Sequence, residues 1–393
     1  MRPTGAMHLG HYHGALKNWV RLQNEYPCLF FAADWHALTT HYEDPGVIEQ
    51  TVWDMFVDWL SAGIDPTKST LFIQSRVPQH AELTMLLSFF TPLSWLERVP
   101  TYKDLVERHA ERGRDLLTYG FLGYPLMQAA DILIYRANRV PVGEDQVSHI
   151  ELTREIARRF NHLFGREKGF EEKAEAAVKK MGPKKAKLYR ALRQQFQEQG
   201  DQGALAQAQA LVSDVQNLSL GDRERLYGYI EGGGRMILSE PVALLTDTPK
   251  LLGLDGQKMS KSYDNAIMLR ESPDAVTQKI RKMQTDPARV RRTDPGEPER
   301  CPVWNLHLVY SDANIRDWVQ QGCRTAGIGC LECKQPVIDA SNAELKPIRE
   351  RAAPYEEDPT LVRNIIQDGC EKASDLADDT MRDVREAMGL NYS

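Results

Sequence analysis

The chain has 393 residues, 42% of them hydrophobic, and its 49 Lys and Arg against 55 Asp and Glu give a formal net charge of −6. This length supports two or three domains with substantial cores. No stretch approaches the roughly 18 consecutive apolar residues of a membrane span, and we expect no secretion signal. These features exclude a membrane protein and predict a cytoplasmic one, in which local basic surface binds any nucleic acid.

Apolar runs alternate with amphipathic stretches along the first two thirds of the chain. The predicted strands are residues 28–33, 69–73 and 139–142, and the predicted helices are residues 46–63, 81–90 and 146–163. Because such alternation is typical of parallel strands joined by helical crossovers, we expect an α/β fold. Ligands of these sheets bind at the carboxyl ends of the strands.

Residues 166–230 differ in composition from what precedes them, since they are rich in Ala, Gln, Lys and Glu with helical periodicity. We interpret them as a helical insertion. Its lysines, such as those at 184–187, are either a solvated helix face or an RNA contact. Gly232, Gly233 and Gly234 are predicted to form a flexible turn. Beyond Asp264 the strand signals fade, and the remainder is predicted to be mostly helical.

Two short polar motifs carry the chemistry. The first, His8-Leu9-Gly10-His11, precedes an amphipathic run, so both imidazoles stand at a helix start that attracts anions. Neutral imidazoles can donate to phosphate or ribose oxygens, and Gly10 lets a flat base approach the backbone. The alternative for this motif alone is a pair of capping or surface histidines.

The second motif is the pentapeptide Lys258-Met259-Ser260-Lys261-Ser262, which follows the turn-forming Asp255-Gly256. Two lysines on a mobile loop can close on a triphosphate and neutralise the charge that grows as pyrophosphate leaves. A polar surface loop is the alternative. Together the two motifs predict an ATP-dependent enzyme.

The paired motifs resemble the two signatures of class I aminoacyl-tRNA synthetases. The stretches from Tyr124 to Leu133 and from Val140 to Gln146 are similar to the bacterial-type tryptophanyl branch of that family. The resemblance covers nearly the whole chain apart from the insertion. It implies activation of L-tryptophan with ATP and Mg²⁺, followed by transfer to the 3′-terminal adenosine of tRNA(Trp), by a homodimer.

The resemblance also implies four segments along the chain. Residues 1–165 are expected to be a Rossmann-like nucleotide- and tryptophan-binding domain, and residues 166–230 the insertion. Residues 231–265 are expected to return to the catalytic domain and to carry the mobile lysine loop. Residues 266–393 are expected to form a helical domain that binds the tRNA anticodon.

Site residues are assigned by the same resemblance. The catalytic residues are His8, His11, Lys258 and Lys261. The ATP-binding residues are Arg2, Pro3, Thr4, Gly10, His11, Gly143, Glu144, Asp145, Leu251, Lys258, Met259, Ser260, Lys261 and Ser262. The tryptophan-binding residues are Tyr124, Gln128, Asp131, Gln146 and His36. Lys103 is either a phosphate-facing lysine or a surface one.

Asp131 has the central role in amino-acid selection. Indole offers one hydrogen-bond donor and no acceptor, so a buried carboxylate that faces its N–H rejects rings that lack the donor. A capping or surface aspartate is the alternative for this residue taken alone. Gln128 stands where the family commonly has Met, which alters the shape of the indole pocket.

Cys301, Cys323, Cys330 and Cys333 are clustered among only six cysteines, which predicts a thiolate-bound metal in a reducing compartment. Some tryptophanyl-tRNA synthetases have nearly this spacing for a [4Fe–4S] cluster near the anticodon-binding region. The resemblance therefore favours a cluster over zinc. Unliganded cysteines are the remaining alternative.

Residues 279–300 contain seven basic and four acidic side chains, which makes this segment either an RNA-facing strip or a solvated surface.

In the family a short apolar strand precedes the Pro3-Thr4-Gly5 segment, whereas here Met1 stands directly before Arg2. We therefore expect the physiological protein to begin roughly ten or more residues upstream.

Three other functions are open from the sequence. Tyrosyl-tRNA synthetases also use a carboxylate after a Tyr-Pro stretch, and tryptophan- or tyrosine-dependent pyrophosphate exchange separates the two. A small-molecule adenylyltransferase can share the histidine motif, but it needs neither the helical C-terminal domain nor the cysteines. An inactive RNA-binding paralogue is expected to lose signature residues, which are intact here.

Overall fold

The computed structural model describes residues 1–3, 5–100, 102, 118–245, 251–260 and 263–392. The chain divides into two compact units. The first contains residues 1–76 and 246–373, and the second contains residues 77–245 and 374–393. None of the helices in the described ranges is both long and apolar enough to cross a membrane.

The strands are β1 (Cys28–Ala32), β2 (Ser69–Ile73), β3 (Arg139–Val142) and β4 (Val242–Leu245). The helices up to residue 164 are α1 (Leu9–His11), α2 (Lys17–Leu22), α3 (Asp34–His41), α4 (Gly46–Ala62), α5 (Gln79–Ser88), α6 (Leu93–Glu97), α7 (Tyr119–Leu133) and α8 (Val147–Phe164). The later helices are α9 (Phe170–Lys180), α10 (Pro183–Gln199), α11 (Gln202–Ser213), α12 (Leu220–Ile230), α13 (Pro273–Lys282), α14 (Pro302–Tyr310), α15 (Ala313–Arg324), α16 (Cys330–Glu357) and α17 (Pro359–Ala387).

In the first unit β1 pairs in parallel with β2, with Cys28 opposite Ser69 and Ala32 opposite Ile73. The crossover between them consists of α3 and α4. Helix α4 ends where Gly63 adopts φ +111°, a left-handed conformation that glycine accepts without steric cost. Both predicted strands and the predicted helix 46–63 are confirmed.

In the second unit β3 pairs in parallel with β4. Both strands come from distant parts of the sequence, and α8 follows β3 after a 3₁₀ turn over Glu144–Gln146. The predicted strand 139–142 and helices 81–90 and 146–163 are confirmed, with small shifts at the helix ends. The α/β expectation is confirmed in both units, because each contains parallel strands connected through helices.

The segment 166–230 forms helices α9 to α12, which share an apolar core. That core consists of Ala177, Val178, Met181, Ala186, Tyr189, Leu192, Ala204, Ala208, Val212, Val215, Leu218, Leu226 and Ile230. The predicted helical character is therefore confirmed. A cluster of this size allows the four helices to bury their apolar faces against one another.

The glycines after this segment lie in a turn, as predicted, but they also allow a close backbone approach that the sequence analysis missed. A Cβ on Gly234 would lie 2.4 Å from the carbonyl carbon of Gly165, and one on Gly228 would lie 1.6 Å from the oxygen of Gly234. The backbone N–H of Arg235 also donates to the oxygen of Gly165 at 2.7 Å. The backbone entering the insertion thus packs directly against the backbone leaving it, and no side chain fits between them.

The chain beyond Asp264 is helical as predicted. In the first unit α16 packs against α4, α13 and α14. The Arg351 side chain donates to the Ser61 oxygen at the end of α4, at 2.6 Å. The long helix α17 contributes its first part to the first unit and its last part to the second.

Candidate functional site

His8 and His11 stand at the start of α1, with their rings stacked at a centroid distance of 3.8 Å. The backbone places them there, because the N–H of Leu9 donates to the oxygen of Ile267 at 2.9 Å. A Cβ on Gly10 would lie 3.0 Å from two atoms of the His8 ring. A side chain at position 10 would therefore crowd the His8 ring, which favours glycine between the histidines.

The surroundings of His8 and His11 lower both pKa values and so keep both imidazoles neutral. Burial, the charge of His11 and the charge of Lys258 lower the pKa of His8 to about 3. Burial and Lys258 lower the pKa of His11 to about 4. His8 Nδ1 is buried and has no hydrogen-bond partner among the described residues. The site therefore offers an unpaired polar atom next to a cation, which suits a ligand oxygen.

The described part of the lysine motif lies next to these histidines. Lys258 is exposed and Met259 is buried, with its Cβ 3.4 Å from where a Cβ on Gly10 would be. Backbone pairing of Leu252 with Lys258 closes the preceding turn. The structure thus brings together two motifs that are about 250 residues apart in the chain, and both belong to the first unit.

Asn265 holds the lysine motif in place. Its side-chain oxygen accepts from the Ser260 N–H at 2.7 Å, while its amide donates to Asp255 Oδ1 at 2.8 Å and to the Lys258 oxygen at 3.1 Å. The residue is 2% exposed. The sequence analysis missed Asn265, although an amide just beyond a signature loop is a recognisable signal for a loop clamp.

In the second unit Tyr124, Gln128 and Asp131 follow one face of α7, as their spacing of four and three residues dictates. Asp131 is buried, and its Oδ1 accepts from His80 Nδ1 at 2.6 Å. His80 Nε2 lies 2.7 Å from the Tyr135 hydroxyl. The alternative of a surface or capping aspartate is excluded, because Asp131 is buried near the end of α7.

The sequence analysis also missed His80 and His149. His80 is wholly buried and orients Asp131, while His149 Nε2 lies 3.1 Å from the Tyr124 hydroxyl. A carboxylate has about four acceptor positions, so the bond from His80 fixes Asp131 and still permits a second donor. The role of His80 follows from its hydrogen bond to Asp131, which lies 51 residues further along the chain. Local sequence patterns therefore gave no signal for this residue.

The loop between β3 and α8 carries the remaining predicted residues of the second unit. Gly143, Glu144 and Asp145 are exposed, and Gln146 is half-buried with its amide donating to Asp145 Oδ2 at 3.0 Å. A Cβ on Gly143 would lie 2.8 Å from Asp145 Oδ1. The loop follows the carboxyl end of β3, where parallel sheets bind ligands.

Other predicted residues are spread over the first unit. Arg2 is exposed, whereas Pro3, His36 and Leu251 are buried. Thr4, Lys103, Lys261 and Ser262 lie outside the described residues. A cavity of about 320 Å³ borders Asp34, Trp53 and Arg76, and none of the predicted site residues lines it.

The four clustered cysteines are electrostatic neighbours. Burial and the charges of Cys301, Cys323 and Cys330 raise the pKa of Cys333 to about 12. Arg289 donates toward Cys323 Sγ at 3.7 Å. Within the described ranges, no three His, Cys, Asp or Glu side chains are gathered closely enough to hold one metal ion.

Comparisons with known proteins agree with these motifs. The family model of class I tRNA synthetases for tryptophan and tyrosine matches residues 1–186 and 220–346. A tryptophan–tRNA ligase of Ralstonia nicotianae is 67% identical over 393 residues, which cover 100% of this chain and 98% of the relative. One from Thermotoga maritima is 43% identical over 394 residues, covering 100% of this chain and 98% of the relative.

Solved structures also resemble the chain. The crystal structure of a tryptophanyl-tRNA synthetase from Campylobacter jejuni, complexed with ADP and tryptophan, superposes with a TM-score of 0.71 at 27% identity. The match covers 99% of this chain and 98% of that one. The family model leaves out residues 187–219, which lie within the helical segment between α8 and β4.

Proposed function

This chain belongs to the class I tRNA synthetases of the tryptophan and tyrosine family, and from that premise we propose that it is a tryptophan–tRNA ligase. It activates L-tryptophan with ATP and then esterifies the amino acid to tRNA(Trp). One observation carries this proposal, namely 67% identity along the whole chain to a relative with that activity. Intact histidine and lysine motifs next to each other supply the chemistry.

Adenylate formation needs no side-chain nucleophile. The tryptophan carboxylate attacks the α-phosphorus in line, and the protein positions the reactants and stabilises the spreading negative charge. His8 and His11, kept neutral by burial, donate to ATP oxygens, and Lys258 supplies a positive charge. Magnesium bound with ATP neutralises part of the phosphate charge. Lys261 on the same loop is proposed to join Lys258.

ATP is proposed to bind along residues 143–145 and 258–262, with Arg2, Pro3, Thr4 and Leu251 near the nucleotide. Neutral donors at His8 and His11 avoid a buried cation, which would be costly without a partner. The terminal adenosine of the tRNA then attacks the mixed anhydride through its 2′-hydroxyl and releases AMP.

Indole recognition is proposed to depend on Asp131. Because His80 binds one of its oxygens, the carboxylate is held in one orientation when the indole N–H arrives. Tyr124, Gln128 and Gln146 complete the amino-acid site, together with His36. A phenol ring carries its O–H donor at a different place from the indole N–H, so it does not meet the same acceptor position of Asp131, which disfavours tyrosine.

ATP–pyrophosphate exchange tests the activity. We expect exchange with tryptophan and none above background with tyrosine. Exchange with tyrosine alone would establish the related tyrosine activity instead. Absence of exchange with either amino acid, in a folded protein that binds tRNA, would favour an RNA-binding paralogue.

We propose that the four clustered cysteines hold a [4Fe–4S] cluster. A cluster offers a separate iron to each thiolate, so it does not need three donors gathered around one ion. Burial and the three neighbouring thiols raise the pKa of Cys333, so this group of thiols gains when cationic iron replaces the protons. Absorption of visible light with equal iron and sulfide contents tests this, whereas one zinc per chain would assign zinc instead.

The helical region from residue 266 is proposed to bind the anticodon of the tRNA. Arg281, Lys282 and Arg291 are exposed in the basic segment 279–300. Such side chains neutralise phosphates and release counterions, so tRNA affinity should fall as salt rises. Substituting Arg291→Glu should raise the KM for tRNA and leave tryptophan-dependent exchange unchanged.

We also propose a cytoplasmic homodimer. Met85 on α5 and Phe89, the residue that directly follows α5, are 58% and 67% exposed, and Leu93 on α6 is 57% exposed. Neighbouring apolar side chains of this size are typical of protein interfaces. Phe89→Glu should shift the protein from dimer to monomer in analytical ultracentrifugation, and a monomeric wild-type protein would refute this.

A further inference from the structure

The histidine motif leads into an irregular helix. Between α1 and α2 the residues Tyr12–Leu16 form a π-helical turn. Such turns are rare and frequently occur at functional sites. The extra residue in the turn rotates the side chains before it relative to those after it. This turn carries His13, which belongs to neither signature motif and is only 6% exposed.

His13 takes part in a partly buried triangle of polar side chains. Its Nε2 lies 2.9 Å from Glu344 Oε2 and 3.2 Å from the Tyr310 hydroxyl. The Tyr310 hydroxyl donates to the same Glu344 oxygen at 2.8 Å. At the rim, Lys17 Nζ donates to Glu344 Oε1 at 3.3 Å. Three segments separated by some 30 to 330 residues therefore meet at one carboxylate.

Electrostatics maintain this arrangement. Burial raises the pKa of Glu344, but the bonds from His13 and Tyr310 and the charge of Lys17 hold it below its usual range. Burial and Glu344 raise the pKa of Tyr310, so its hydroxyl remains a donor. The charged acceptor makes these hydrogen bonds stronger than neutral ones.

The triangle connects the histidine motif to the helical region that begins at residue 266. His13 lies two residues after His11, whereas Tyr310 ends α14 and Glu344 lies in the middle of α16. The ring of Tyr310 also meets that of His13 edge to face, at a centroid distance of 5.6 Å. Any movement of α14 or α16 at these positions therefore acts on the helix that carries His8 and His11.

We infer that Tyr310 and Glu344 are positioning residues, which act through His13 to hold His8 and His11 in the orientation that adenylate formation requires. This inference rests on the proposed function. Neither residue is among the residues proposed to bind ATP or tryptophan. Their contribution is preorganisation, because small displacements of catalytic groups reduce the rate of the chemical step.

Tyr310→Phe tests the inference, since it removes the hydroxyl and keeps the ring. The kcat of tryptophan-dependent pyrophosphate exchange should fall about tenfold, as expected for a lost bond to a charged group, while the KM for tryptophan stays unchanged. Tyr189→Phe is the matched control. It removes a buried tyrosine hydroxyl that donates to the Leu226 oxygen at 2.6 Å, in the helical core of α9 to α12.

A purely structural role predicts something different. Both variants would then lower the melting temperature, and neither would change kcat per folded molecule. That result, or a kcat for Tyr310→Phe within twofold of the control, would overturn the inference. Glu344→Gln keeps an acceptor at this position, so it should restore part of the rate lost in Glu344→Ala.

Hydrogen exchange provides a readout that does not depend on activity. Backbone amides of residues 8–22 should exchange faster in Tyr310→Phe than in the wild type, and at the wild-type rate in Tyr189→Phe. Equal protection in all three proteins would refute the positioning role. A wild-type protein without tryptophan-dependent exchange would instead refute the proposed function, and the two failures are therefore distinguishable.

Discussion

The neutral histidine pair makes the stability of the protein depend on pH in a way that His11→Asn should reveal. Burial and Lys258 lower the pKa of His11 from 6.5 to about 4 in the folded protein. Between these values the unfolded chain binds more protons than the folded one. Stability is therefore complete above about pH 6.5, falls as the pH falls, and stops falling below about pH 4.

The magnitude follows from the shift. The difference between 6.5 and about 4 corresponds to about 3 kcal/mol for His11. About 2 kcal/mol of this is lost between pH 7 and pH 5. Asparagine does not titrate, so the loss of stability of His11→Asn over this interval should be smaller than that of the wild type by about 2 kcal/mol.

Urea unfolding followed by tryptophan fluorescence at both pH values measures this difference. His162→Asn is the control, because His162 is exposed on α8. It should reproduce the wild-type pH dependence. If His11→Asn and the wild type lost the same stability between pH 7 and pH 5, His11 would not be held neutral by its surroundings. That result would refute the electrostatic description of the histidine motif.

Three other substitutions test separate parts of the structure. Asp131→Asn should lower kcat/KM for tryptophan by about 10- to 100-fold, because the amide cannot accept from both His80 and indole as a carboxylate does; an unchanged value would exclude Asp131 from indole binding. Asn265→Ala removes two hydrogen bonds to the lysine motif and one to Asp255, and it should lower kcat for exchange at least about tenfold, with an unchanged KM for tryptophan; wild-type kinetics would contradict the clamp. Gly234→Ala should lower the free energy of unfolding by about 1–3 kcal/mol, because its Cβ would meet the Gly165 backbone at 2.4 Å; a wild-type melting temperature would refute this.

Local patterns in the sequence were enough to predict three of the four strands in the described residues and several of the helices, but not β4. The alternation of apolar residues predicted β1, β2 and β3, because the period of burial differs between strands and helices. The histidine and lysine motifs likewise identified the family, since few other functions need both. These features depend on residues that are close in the chain.

Contacts between distant residues could not be predicted in this way. The bond from His80 to Asp131 spans 51 residues, and the bonds of His13 reach Tyr310 and Glu344 across about 300. No periodicity encodes such partners, because only the folded chain brings them within hydrogen-bonding distance.

The sequence by itself thus determined the family and which residues are candidates for its chemistry, because both depend on particular functional groups at fixed local spacing. Tertiary structure alone decided how those groups are held. It buries His8 and His11 beside Lys258, clamps the lysine motif through Asn265, and packs Gly234 against the Gly165 backbone. Burial and close packing are properties of the assembled fold, and they set the pKa, orientation and spacing on which the chemistry depends.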